Sequence, residues 1–173
     1  MAFRFSCRAL TWGVLAAWVA SPVAADGTLI GRLVTMNVET YDVDGAPIFI
    51  SKGRTVRVGN SVEFDLLPEN GFNGLDVVPV RIEITNDRIE FSYGKQQGSF
   101  FQPARFNGYV LRFEAECGLF ESARVDAGSN TIELTDDRIS TQNGALFVDV
   151  KGLTFGPNAA FGVDVRVSDC LLG

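Results

Sequence analysis

From Asp26 onward, apolar and polar residues alternate with a period of two. Val80, Ile82 and Ile84 alternate with Arg81 and Glu83, and Ile89, Phe91 and Tyr93 alternate with Glu90 and Ser92. Val163, Val165 and Val167 alternate with Asp164 and Arg166. Such a pattern turns one face of an extended strand to a core and the other to water. Further strands are expected over Leu29–Val38, Thr55–Val58, Val62–Leu66, Gly108–Glu114, Thr131–Leu134 and Leu146–Lys151. No segment after residue 25 carries a helical stripe.

Turn formers separate these runs: Asp44-Gly45, Gly53, Gly59-Asn60, Asn70-Gly71, Asn73-Gly74, Gly128 and Asn143-Gly144. Asn-Gly and Asp-Gly accept positive φ readily and close tight reversals. Many short strands with such punctuation predict an all-β fold, a single antiparallel β-sandwich of jelly-roll-like type. One internal echo is visible, because IEITNDRIEFSYG (Ile82–Gly94) aligns without gaps with IELTDDRISTQNG (Ile132–Gly144). It predicts two equivalent hairpins, each strand, polar reversal, strand.

The amino-terminal segment has a different character. Arg4 and Arg8 precede the apolar run LTWGVLAAWVA, which leads to the small-residue site Val23-Ala24-Ala25. This reads as an export signal over residues 1–25, cleaved before Asp26. Leu10 to Ala20 is 11 residues, well short of the roughly 20 that cross a bilayer as a helix. A single domain over 26–173 is long enough to bury a substantial core. The expected location is periplasmic or secreted, with no membrane span in the mature chain.

Loss of that segment removes Arg4 and Arg8 from the 15 basic residues and none of the 21 acidic ones, leaving 13 against 21, a net charge of −8. Such a surface repels nucleic acid, which is not an expected partner. Both tryptophans, Trp12 and Trp18, depart with it, and the chain has no histidine. Ser-His-Asp and Cys-His catalysis and ordinary histidine metal sites are therefore closed. Ser92-Tyr93-Gly94-Lys95 matches the S-x-x-K spacing of serine acyltransferases, but it sits in a strand pattern without the companion motifs.

Candidate chemistry is sparse. Asp42 and Asp44 flank one residue ahead of Gly45, and Asp87, Asp136 and Asp137 recur in the echo. Acidic oxygens of this kind suit calcium, the one cofactor the sequence suggests, yet turn chemistry calls for the same residue types. Paired carboxylates for sugar hydrolysis need only a suitable separation, although no tryptophan remains as a stacking platform. In KQQGSFFQPARFNG (Lys95–Gly108), adjacent Phe100 and Phe101 point to opposite faces if extended, so one is exposed while the other anchors the loop. Together with Gln102 and Arg105 they form a candidate ligand or partner surface, the alternative being a loop plugged over an open end of the sandwich.

FNGYVLRF (Phe106–Phe113), DDRISTQNGALFVDVKGLTF (Asp136–Phe155) and VGNSVEFDL (Val58–Leu66) together resemble exported bacterial β-sandwich proteins, many of which carry a PEP-CTERM surface-sorting tail. The sequence departs from those proteins after Cys170, where only Leu-Leu-Gly follows, so the resemblance does not imply sorting by that route. The expectation is a non-catalytic binding, matrix or envelope-associated module with a protein or glycan partner. A calcium- or carbohydrate-binding domain and a carboxylate-dependent hydrolase are the alternatives.

Cys117 and Cys170 are the only cysteines after residue 25. Even parity in an exported chain predicts a disulfide between them, closing a loop worth up to about 4 kcal/mol. Cys170→Ser is expected to lower the melting temperature under oxidising conditions and to leave it unchanged in reductant. Identical melting of the parent protein with and without dithiothreitol would refute the bridge.

Overall fold

The computed structural model describes residues 27–66, 77–115 and 117–169. The predicted signal segment and Cys170 therefore lie outside the described residues. Two antiparallel sheets face each other across a shared apolar core, a β-sandwich. The larger sheet contains β1 (Leu33–Tyr41), β2 (Pro47–Ile50), β3 (Arg54–Arg57), β7 (Phe106–Phe113), β9 (Ile139–Gln142) and β10 (Ala145–Asp149). Its order is β2-β1-β7-β10-β9, with β3 continuing the β2 edge alongside the first half of β1. The smaller sheet runs β4 (Arg81–Ile84), β5 (Arg88–Ser92), β12 (Ala160–Val167), β8 (Phe120–Asp126). A two-stranded ribbon of β6 (Ser99–Phe100) and β11 (Thr154–Phe155) stands apart from both.

The alternation read from the sequence is present where it was strongest. Ile82, Ile84, Ile89, Phe91, Val163, Val165 and Val167 are buried, and Arg81, Glu83, Glu90, Asp164 and Arg166 face water. Asn143 and Gly144, with φ of 50° and 75°, close the β9–β10 hairpin as an Asn-Gly turn should. β1 begins at Leu33 and extends to Tyr41, later at both ends than expected. Among the described residues the one helical element is a single 3-10 turn at Asp136–Arg138.

Two expected strands are absent. In Thr131–Leu134 the side chain of Asn130 bonds both the N–H and the carbonyl of Leu134, and Glu133 sits at φ 58°. A left-handed residue between captured backbone groups leaves nothing for a ladder, although Ile132 and Leu134 are still buried. In Val62–Leu66 only Phe64 pairs, with Ile82. The Glu63 carboxylate there accepts from the N–H groups of Gly59 and Ile84, and Arg54 donates to its carbonyl. The echo is corrected accordingly: its first copy is the β4–β5 hairpin, whereas its second is irregular chain, the 3-10 turn and then β9 in the opposite sheet.

The sandwich is joined along both long sides. β8 packs beside β9 and the 3-10 turn on one side, and the Phe64 and Glu63 contacts link β3 to β4 on the other. On the outer face of the smaller sheet, Arg88 bonds Glu90, Asp126 and Asp164 at 2.7–2.8 Å and Ser129 at 3.0 Å, tying β5 to β12 and β8. Gly162 lies under that guanidinium, where a Cβ would meet Arg88 Nη2 at 2.5 Å.

Arg88, then the Gly128 N–H and Ser129, hold the Asp126 carboxyl at about 2, against an ordinary 3.8. A carboxyl lowered on folding adds stability above its unfolded value, and that stability is lost as the pH falls through the folded one. Denaturation midpoints are expected to fall between about pH 4 and pH 2. In Arg88→Met that acid sensitivity is expected to flatten, and an unchanged pH profile would show that the cluster contributes nothing.

Candidate functional site

At one end of the sandwich the two sheets diverge around a cavity of about 790 Å³. One wall comes from the β1–β2 hairpin: Val38, Thr40, Ile48 and Phe49. Val77, Val78 and Pro79, which lead into β4, form a second. The loop around β6 supplies Gln96, Ser99 and Phe100 to Ala104, while Tyr109, Val150 and Phe155 line the space between. Among the described residues, none that lines the cavity carries a carboxylate, an amine or a guanidinium.

The adjacent phenylalanines divide as their alternation predicted. Phe101 is buried at 5% exposure, packed on Tyr93 and Phe155, whereas Phe100 is 53% exposed at the mouth. Across that mouth Ile48 is 61% exposed. The loop itself is held firmly: Phe101 N–H donates to the Leu153 carbonyl, Gly152 N–H to the Phe101 carbonyl, and Asn107 Nδ2 to the Gln102 carbonyl. Of the four surface residues expected from sequence, Phe100, Phe101 and Gln102 line the cavity and Arg105 does not. The Arg105 guanidinium instead overlies the β1–β2 turn, with Nη1 3.1 Å from where a Gly45 Cβ would stand.

The acidic candidates do not converge. Asp42 Oδ1 accepts from the N–H groups of Asp44 and Ala46, and Gly45 takes φ 82°, so DVDGA is the hairpin turn that its sequence also described. Asp87 is at the β4–β5 turn, where its carbonyl accepts from Val165 N–H. Asp136 Oδ1 caps Val125 N–H at 2.7 Å. Asp137, beside Thr135 and then Arg138 and Lys151, is held below the usual carboxyl value. Among the described residues no three acidic or cysteine side chains group as metal ligands.

A carboxylate hydrolase calls for an acidic cleft and a raised carboxyl. Glu83 and Glu90 are directly opposite across β4 and β5, but they line a hollow of about 110 Å³, and Glu90 is bonded to Arg88. Asp126 and Asp137 are shifted downward. The buried carboxylate on the outer face of the larger sheet, Glu39, is engaged by Arg112 at 2.6 Å and the Tyr41 hydroxyl at 2.9 Å.

Sequence reasoning missed Tyr109 and the residue behind it, Tyr93. Tyr93 is fully buried against Phe101, Phe155 and Phe161, with ring centroids 5.2–6.4 Å away. Its hydroxyl has no hydrogen bond within normal range, and the Tyr109 hydroxyl is the polar group that acts on it. Period-two alternation placed Tyr93 on an inward face but carried no hint that Tyr109, from the opposite sheet, would meet it. No protein-family model, curated protein or solved structure matches the chain.

Burial raises the phenols of Tyr93 and Tyr109 above 10.0, and burial together with the Glu39 carboxylate raises that of Tyr41. The unfolded chain loses these protons first, so their stabilising effect is complete below pH 10 and disappears as the pH climbs toward the folded values. In an alkaline titration tyrosinate absorbance is expected to appear together with loss of the circular dichroism of the sheets. A separate folded-state step near pH 10 for two of the three tyrosines would contradict this.

Proposed function

We propose that the chain is an exported, non-catalytic β-sandwich module that binds its ligand or envelope partner at the open end of the sandwich. The carrying observation is the cleft itself: a concave space with Ile48 and Phe100 exposed at its mouth, lined among the described residues by apolar and uncharged polar side chains. Ligand sites are concave and of this size, whereas acid–base chemistry needs titratable groups, and among the described residues that line this cleft the one such group is Tyr109. Export is supported by the basic and apolar pattern of residues 1–25, and the resemblance to exported bacterial β-sandwich proteins points the same way. Among the described residues no helix is long and apolar enough to cross a membrane.

A Cys117–Cys170 bridge belongs to this reading. Cys117 Sγ is 3.6 Å from the hydroxyl of Ser168, two residues before Cys170, and Ser168 N–H donates to the Leu119 carbonyl. The end of β12 is thus already held against the segment that carries Cys117.

The exported protein is expected to bind the neutral dye N-phenyl-1-naphthylamine saturably at one site. Phe100→Asp should weaken that binding at least tenfold, because a carboxylate at the mouth must shed water for the dye to enter. Equal binding by Phe100→Asp and the parent protein would remove this end of the sandwich as the ligand surface.

A further inference from the structure

We infer that the β2 edge of the larger sheet is an interface between two copies of this chain, paired antiparallel about a two-fold axis at Ile48. In that pairing the acidic turn ahead of β2 in each copy faces the basic residues that follow β2 in the other. The inference does not depend on what the cleft binds.

The first support is an uncovered edge. Among the described residues, β9 lies beside β8, β4 is bridged by Phe64, and β3 is tied through Arg54 to the Glu63 carbonyl. β2 pairs with β1 on one side and has no strand on the other. An edge strand leaves a row of backbone N–H and C=O groups open to another strand, and a charged side chain on the edge is a common block. β2 carries no charge, since its residues are Pro47, Ile48, Phe49 and Ile50. Pro47 has no N–H and the ladder shifts register beside it, which keeps the seam short.

The second support is where apolar surface is exposed. Of the five large apolar side chains most exposed among the described residues, three belong to this one hairpin: Val43 at 79%, Ile48 at 61% and Ile50 at 46%. Exposed apolar surface gathered on one element marks an interaction site.

The third support is the order of charges, and it identifies the partner. Asp44 lies four positions before Ile48 and Lys52 four after it; Asp42 lies six before and Arg54 six after. Antiparallel pairing about an axis at Ile48 therefore brings Asp44 of each copy to Lys52 of the other, with Asp42 and Arg54 beyond them. Parallel pairing would set like charges together. A two-fold interface needs a surface complementary to itself, and an apolar centre between an acidic and a basic flank is one. Asp42 and Arg54 already bond backbone groups of their own copy, whereas among the described residues Asp44 and Lys52 form no ion pair. Pairing occupies the edge of both copies, so assembly closes at two.

Sedimentation equilibrium of the protein over about 5–500 µM tests this, because a short seam makes a weak dimer that dissociates on dilution. Ile48→Lys is expected to weaken dimerisation at least tenfold, since two ammonium groups would face each other at the axis. Its melting temperature as a monomer should match the parent's, because Ile48 is largely exposed. Asp44→Lys and Lys52→Glu should each weaken dimerisation about 3- to 30-fold by opposing like charges at both ends of the seam. Mixed one to one, these two variants are expected to form a heterodimer of parental affinity, in which opposite charges meet at both ends again. A substitution that merely disturbed the hairpin would not be rescued by mixing. A parent protein that is monomeric throughout the range, or a dimer that Ile48→Lys leaves intact, overturns the inference. So do charge variants that dimerise as the parent does or that fail to recover when mixed.

Discussion

Two twisted sheets stay about 10 Å apart only where side chains fill the gap between them, and here a continuous run of aromatic rings fills it. Phe91 stacks on Phe161 at 4.5 Å with the planes 13° apart, and Phe91 meets Tyr109 at 5.5 Å. From Phe161 the contacts continue through Tyr93 to Phe155 and Phe101, each neighbour 5.0–6.4 Å from the last. These rings come from β5, β7, β11, β12 and the loop around β6, so one cluster joins both sheets and the ribbon. The cavity begins where the run ends, at Phe101 and Phe155, both of which line it. The site is thus a consequence of how the core is filled.

The strands legible in the sequence are those with one face on that core. β4, β5 and β12 alternate cleanly because each residue faces either aromatic packing or water. The missed strands lack that contrast. Pro47–Ile50 at the β2 edge is largely exposed despite being apolar, and β8 has no fully buried residue. Conversely, Ile132 and Leu134 alternate and are buried without pairing, because Asn130 occupies the backbone groups a ladder would use. Alternation reports burial on two faces, and hydrogen-bond pairing is a separate property that side-chain competition decides.

The same division holds at the site. The split of Phe100 and Phe101 was legible because it depends on neighbours in sequence, and so was the turn at Asp42–Gly45. Arg105 was misplaced because its direction is set by Gly45, which is 60 positions away and leaves room for the guanidinium. The Tyr93–Tyr109 meeting was invisible for the same reason: one comes just after β5 in the smaller sheet, the other from β7 in the larger, and only the stacking of sheets brings them together. The echo misled because equal residues at Asp87 and Asp137 met unequal surroundings: a hairpin tip held by Val165 in one case, and in the other a chain crossing between sheets.

The ion-pair clusters lie outside the core. Arg88 with its three carboxylates lies on the outer face of the smaller sheet, and Arg112 with Glu39 on that of the larger. Lys151 pairs with Asp149 and donates to the Arg105 carbonyl, beside the cavity but not within its walls. An excess of acidic groups on such an exterior acts through water, where a Debye length of about 8 Å at physiological salt limits its reach. It governs which macromolecules approach, and it favours solubility. The cleft is lined instead, among the described residues, by apolar and uncharged polar side chains, so the ion pairs that tie the outer faces of the sheets do not extend into it.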